Sequence, residues 1–139
     1  LGHEPKVALL SYSNFGNPPG PVANTMRDAV RILEGESAAG RVDFEFDGEM
    51  GVDVALDMNR ERIYPFCRLT GPANILVMPG LHAATISTRL VQRFGAATSI
   101  GPLLIGLEKP VQIVGMDAGV SDLVQMALMA AHIGATAAR

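Results

Sequence analysis

The sequence predicts an α/β fold, a three-layer α/β/α arrangement built on a mainly parallel sheet. Three observations predict it. Short continuous apolar runs at residues 6–12 (KVALLSY) and 74–78 (NILVM) have the pattern of strands buried on both faces. Other stretches repeat their apolar residues every three or four positions, the period of an amphipathic helix. The two kinds of segment alternate, which implies crossover connections and a parallel sheet covered on both faces.

The elements follow in order. After the strand at 6–12, residues 13–21 (SNFGNPPGP) are too rich in Gly, Pro and Asn to be regular. Val22, Met26, Val30 and Leu33 then mark one face of a helix, with Gly35 as its stop. Val42, Phe44 and Phe46 alternate with Asp43, Glu45 and Asp47, so this strand has one wetter face and belongs near a sheet edge. Asp47-Gly48 reads as a turn, and Val52, Ala55, Leu56 and Met58 support a short helix. Residues 59–72 form a polar, Pro/Gly-punctuated stretch in which Tyr64, Phe66 and Leu69 can dock. Pro79-Gly80 stops the strand at 74–78, and Ile86, Leu90 and Phe94 place a helix over 82–94. Apolar runs at 103–107 and 111–114 flank Glu108-Lys109-Pro110. Ser121 is a candidate N-cap for a final helix over 123–133, with Asp122 suited to its positive end.

At 139 residues the chain has the length of one domain. Its 48% hydrophobic content supplies enough apolar surface to exclude a disordered tail. No run approaches the roughly 18 apolar residues of a membrane span. A net charge of −3, with 5% aromatic residues and no Trp, argues against a nucleic-acid partner. A single cysteine, Cys67, makes no internal disulfide and fits a reducing, cytoplasmic compartment. The first residue is Leu1 rather than Met, as expected of a piece of a longer protein.

Little chemistry can be read from isolated residues. His3, His82 and His132 are far apart and Cys67 is alone, so no metal site is expected. Glu45, Asp47 and Glu49 read as the solvated face of a strand and its turn. Neither GxGxxG nor GxxxxGK[ST] is present. The loop after the first strand offers backbone amides and the hydroxyls of Ser11 or Ser13 to an anion, although an ordinary strand-to-helix loop fits its spacing better. There is no GxSxG elbow, and Cys67 is better read as a structural thiol than as a nucleophile. Ligands of open α/β sheets bind beyond the carboxyl ends of the strands. That rule selects residues 13–19, 79–84 and 115–122. His82 opens a helix at such an end, and Arg93 is a candidate phosphate ligand or a solvated side chain.

An ordered series of motifs carries a resemblance. It comprises Ser11-Tyr12-Ser13 with Gly16, Phe46-Asp47-Gly48-Glu49 with Asp53 and Ala55, and residues 71–79 (GPANILVMP). Leu90-Val91-Gln92-Arg93, Ile100-Gly101-Pro102-Leu103, Gly106-Leu107 and Lys109-Pro110-Val111 continue it. From about residue 6 to 131 the chain resembles the phosphate acetyl/butyryltransferase family. The wording YPFCRLTGPANILVMPGLHAATISTRLVQRFG is more similar still to the C-terminal domain of large, multidomain NADP-dependent malic enzymes. The resemblance implies one lobe of the phosphate acetyltransferase-type fold over residues 1–117. Residues 118–139 would then be a C-terminal helix that in the family packs on the other lobe. On that helix Leu123, Met126, Leu128 and Met129 would need a substitute partner, such as another copy of the chain.

The resemblance also implies a function. Active transferases of the family carry Asn-Asp-Leu-Ser-Arg-Gly after Lys-Pro-Val, and an Asp further on is thought to take the proton from the coenzyme A thiol. Laying Lys109-Pro110-Val111 on that motif puts Gly115 at the Ser position and Met116 at the Arg position, with Asp122 on the base. The family's Pro-Asp-Leu-Asn-like turn is changed to Pro79-Gly80-Leu81-His82. The expectation is therefore a chain with no catalytic residues of its own, Asp122 being only a residual base position and more simply a first-turn helix acid. Ser13, Asn14, His82 and Arg93 are its expected ligand-binding residues, Arg93 matching an arginine close to coenzyme A in the family. It would be the regulatory and oligomerisation domain of a malic enzyme, with acetyl-CoA or a related acyl metabolite as effector. NADP and a divalent metal would bind only in the parent's other domains, which, with further copies of the chain, would be its protein partners. An active phosphate acyltransferase and a purely structural dimerisation module are the alternatives.

Overall fold

The computed structural model describes residues 3–95 and 99–137. Its elements are β1 (Lys6–Leu10), α1 (Pro21–Ala38), β2 (Glu45–Met50), α2 (Val52–Leu56), β3 (Ile75–Val77), α3 (Leu81–Phe94) and α4 (Val120–Ala137), with a 3-10 turn at Arg60–Arg62. The three strands form one parallel sheet in the order β2-β1-β3. The expected α/β class and the edge position of β2 are both found. The chain divides into two units, one up to Thr88 and one from Arg89.

In the first unit, alternation along β1 sends its side chains to two cores. Val7 and Leu9 pack with Met26 and Val30 of α1 and with Phe46. Ala8 and Leu10 pack with Met50, with Val54 and Ala55 of α2, and with Leu69 and Ala73. Helix α1 starts on Pro21, whose fixed φ suits the first helical position. It does not stop at Gly35. It runs on to Ala38 and ends in a Schellman motif, with Gly40 at φ +72, its amide on the Ser37 carbonyl and the Arg41 amide on the Glu36 carbonyl. A glycine in open space on a helix costs only about 1 kcal/mol, too little to end α1 against its buried face.

Strand β2 departs most from expectation. Asp47-Gly48 is not a turn but the middle of the strand. Gly48 lies opposite Leu9 while Met50 lies opposite Leu10, so Glu49 is an extra, bulged residue. The bulge resets the alternation. Met50 enters the same core as Leu10, and Glu49 is delivered to the side of α1. Asp47 and Glu49 are therefore buried, not solvated. Asp47 accepts bonds from the Arg68 amide at 2.7 Å and the Arg68 guanidinium at 2.8 Å. Arg68 also reaches Glu34 and lies over the Phe46 ring. The Thr70 amide and hydroxyl donate to Glu45, so residues 68–70 cover the open edge of β2.

On the opposite edge, β3 is less buried than its apolar run suggests: Ile75 and Val77 are exposed, and Leu76 and Met78 face the core. Asn74 fixes its register, its side chain accepting the Lys6 amide and donating to the Glu4 carbonyl, both at 2.8 Å. Arg60 is buried and donates to the main-chain carbonyls of Ala55, Asp57, Leu69 and Gly71, tying the loop of residues 57–71 to α2. Helix α3 forms where Ile86, Leu90 and Phe94 place it, yet none of its residues is buried.

In the second unit the apolar runs at 103–107 and 111–114 form no ladder. The Gln112 side chain joins them instead, accepting the Leu104 amide and donating to the Leu104 carbonyl. Helix α4 begins at Val120, which places Ser121 inside the first turn rather than at the cap. Met126 is already buried, whereas Leu123 and Leu128 are exposed. Among the described residues no helix is long and apolar enough to cross a membrane, and no three His, Cys, Asp or Glu side chains come together as metal ligands.

Candidate ligand-binding site

Strand order β2-β1-β3 means that the chain leaves β1 in one direction and returns on its other side to form β3. Such a reversal opens a crevice outside the carboxyl ends of the two strands. Two segments follow those strand ends here: the loop after β1, with Ser13 and Asn14, and the turn Pro79-Gly80 leading into α3, with His82 in the first turn.

The loop after β1 is held almost entirely by the protein itself. The Asn14 and Asn17 amides donate to each other's carbonyls. The Phe15 amide donates to the Glu49 carbonyl at 2.7 Å and the Gly16 amide to Glu49 Oε1 at 2.7 Å. Four successive amides are thus engaged, which removes them from the anion cradle considered for this loop. The Ser13 hydroxyl, fully buried, donates to Glu49 Oε1 at 2.7 Å. Asn14 is half-buried, and its side-chain oxygen accepts the Gly51 amide at 2.6 Å. Arg27 completes the cluster from α1, its Nε and Nη2 each 3.0 Å from a Glu49 oxygen. Burial opposes ionisation of Glu49, but the bonds from Arg27, Ser13 and Gly16 outweigh it and hold the pKa at about 2. The same contact raises the Arg27 pKa.

Within this loop, Phe15 adopts φ +50 and sets its ring 5.3 Å from Tyr64 and 5.0 Å from Phe66. Cys67 is half-buried, and burial raises its thiol pKa, as a structural cysteine requires. The Ser11 hydroxyl, at the end of β1, is buried without a hydrogen-bond partner among the described residues.

The remaining expected residues are dispersed. His82 is exposed, and Arg93 lies exposed in the last turn of α3, with no ion pair among the described residues. In the second unit the Met116 side chain is fully exposed, and the Gly115 carbonyl accepts the Ala118 amide. Asp122 accepts the Gly119 amide at 2.8 Å, the contact by which a third-position acid caps a helix start. The sequence reading missed Glu49 and Arg27. The signal was a carboxylate lodged between Gly48 and Met50 in a strand pattern, but it identifies a buried acid only once the bulge is known.

A parallel sheet with its switch point beside the central strand defines an α/β domain of the open-sheet kind. Comparison places it more closely: the chain belongs to the phosphate acetyl/butaryl transferase family, whose model matches residues 1–131. It is 53% identical over 136 residues to the NADP-dependent malic enzyme of Rhizobium meliloti, covering 98% of this chain and 17% of that protein. It is 42% identical over 127 residues to the phosphate acetyltransferase of Treponema pallidum, covering 89% of this chain and 37% of that protein. The EutD phosphotransacetylase from Staphylococcus aureus has the same fold, with a TM-score of 0.86 at 29% identity over 96% of this chain and 41% of that one. The chain therefore spans about a sixth of the malic enzyme it matches. It is a phosphate acetyltransferase-like domain of the kind that malic enzymes carry.

Proposed function

We propose that this chain is a regulatory and oligomerisation domain of an NADP-dependent malic enzyme, binding acetyl-CoA or a related acyl metabolite without transferring the acyl group. The 53% identity to a malic enzyme across nearly the whole chain carries the reading. The parent reaction is the oxidative decarboxylation of malate to pyruvate in the cytoplasm, with NADP and a divalent metal held by other domains.

The loss of transfer chemistry rests on three positions. Acyl transfer puts negative charge on the carbonyl oxygen, and removing one preorganised donor typically costs on the order of 10²–10³ in rate. Gly115 and Met116, at the family's Ser and Arg positions, offer no side-chain donor. Asp122 is occupied in capping α4 through Gly119. Binding needs less: the exposed Arg93 guanidinium suits a phosphate of coenzyme A, and, in the first unit, Asn14 and His82 follow the carboxyl ends of β1 and β3. An effector that prefers one conformation of the domain shifts the attached enzyme by that preference, about 1–3 kcal/mol in typical cases. Calorimetry of the full-length protein with acetyl-CoA tests the reading, and absence of heat at millimolar ligand overturns it.

A second reading is favoured by the likeness to phosphate acetyltransferases: a working phosphate acyltransferase moving an acyl group between phosphate and coenzyme A. Consumption of the coenzyme A thiol with acetyl phosphate, abolished by Asp122→Asn, would establish it. A purely structural dimerisation module fits the exposed Leu81, Ile86, Leu90 and Phe94 of α3. It predicts oligomer dissociation on their substitution, with no acetyl-CoA binding in the wild type.

A further inference from the structure

Glu49 differs from an ordinary buried ion-pair partner in what it holds. Arg27 is its charge partner, but its other bonds end on one short stretch: the Ser13 hydroxyl and the Gly16 amide on the carboxylate, and the Phe15 amide on the main-chain carbonyl. That stretch lies at the carboxyl end of the central strand, at the switch point of the sheet. Within it Phe15 keeps φ +50, a conformation that persists in a non-glycine residue only where the surroundings over-determine it. The β2 bulge exposes the device, because strict alternation would send Glu49 to the opposite core and Met50 toward α1.

We propose that Glu49 is a positioning residue for ligand binding: it fixes the loop of residues 13–16 in the conformation from which Asn14 meets the acyl metabolite. The inference rests on the proposed acyl-metabolite reading. A loop already set spends none of the binding energy on its own ordering. Charge-assisted bonds to a buried carboxylate are the strong kind that can hold it so.

The test compares full-length wild type with Glu49→Gln, which keeps side-chain volume but removes the charge. Hydrogen exchange at the Phe15 and Gly16 amides should accelerate about tenfold or more while the β1 amides keep their wild-type rates. The Kd for acetyl-CoA should rise about tenfold, as expected when one or two side chains must be ordered on binding. Faster loop exchange with an unchanged Kd overturns the positioning role, and unchanged loop exchange overturns the clamp. Wild type that fails to bind acetyl-CoA overturns the acyl-metabolite reading instead. Should Glu49→Gln also loosen β1, Ser13→Ala removes one donor and leaves the ion pair. Because Ser13 is fully buried on Glu49 and makes no surface of its own, a Kd raised about threefold together with faster Gly16 exchange reports the loop, whereas an unchanged Kd overturns the positioning role.

Discussion

Replacing Gly48 by alanine probes the bulge on which the loop arrangement depends. Gly48 lies opposite Leu9 with φ +151, and an added Cβ would stand 2.6 Å from the Leu9 carbonyl oxygen and 3.0 Å from the Leu9 Cβ. Leu9 cannot retreat, because β1 is paired on both sides. The backbone conformation costs about 1–3 kcal/mol in a non-glycine residue. Overlap with packed neighbours adds about 1–3 kcal/mol, so the total of about 2–6 kcal/mol is a large share of a typical domain's 5–15. Native-state hydrogen exchange at the β1 amides of the full-length protein reads this directly. At tenfold per 1.4 kcal/mol, the lower bound is an acceleration of about 30-fold. The Phe15 and Gly16 amides should accelerate with them, since a reset strand carries Glu49 away from the loop. Exchange in β1 within about threefold of wild type would refute the reasoning, because it would mean that the ladder admits a side chain at this point.

Three other outcomes are expected. Gly35→Ala, in open space within α1, should stabilise by about 0.5–1 kcal/mol and raise the thermal midpoint. Arg60→Ala leaves the Leu69 carbonyl without its buried donor, at about 1–3 kcal/mol, and the Ala55 carbonyl with the Ala73 amide alone, so faster exchange across the α2 amides should follow. Glu49 should remain ionised at pH 3 in a carboxyl carbon titration, with a midpoint at about 2. Because this pKa lies below the ordinary 4.5, the stabilisation from Glu49, about 3 kcal/mol, is complete above about pH 4.5 and lost as the pH falls toward 2. A midpoint near 4.5 would remove it.

Local pattern was enough to place β1, α1 and α3 and to put β2 at an edge, because each shows its own period over several residues. It failed where the deciding contact is distant. Asp47 looks like one more alternating polar residue until Arg68, 21 positions on, supplies its amide and guanidinium. Glu49 fits a solvated alternation only if no residue is inserted, and the bulge is specified by pairing with β1, which lies far off in the chain. Gly35 looked like a stop because glycine often ends helices, yet the φ-positive residue is Gly40. The runs at 103–107 and 111–114 show that apolarity alone names no pairing partner. The rule of strand ends singled out Ser13 and Asn14, but the bonds that bury Ser13 depend on tertiary contacts with β2.

The central place of β1 has a consequence for how the chain is made. Its partners arrive in sequence order: β2 ends at Met50, whereas β3 is complete only at Val77. At ribosomal rates of about 5–20 residues per second, a few seconds separate the two. Until β3 exists, Val7, Ala8 and Leu9 have no partner on the side that it fills. Asn74, which grips the Lys6 amide across 68 residues, ties the late strand to the start of the first.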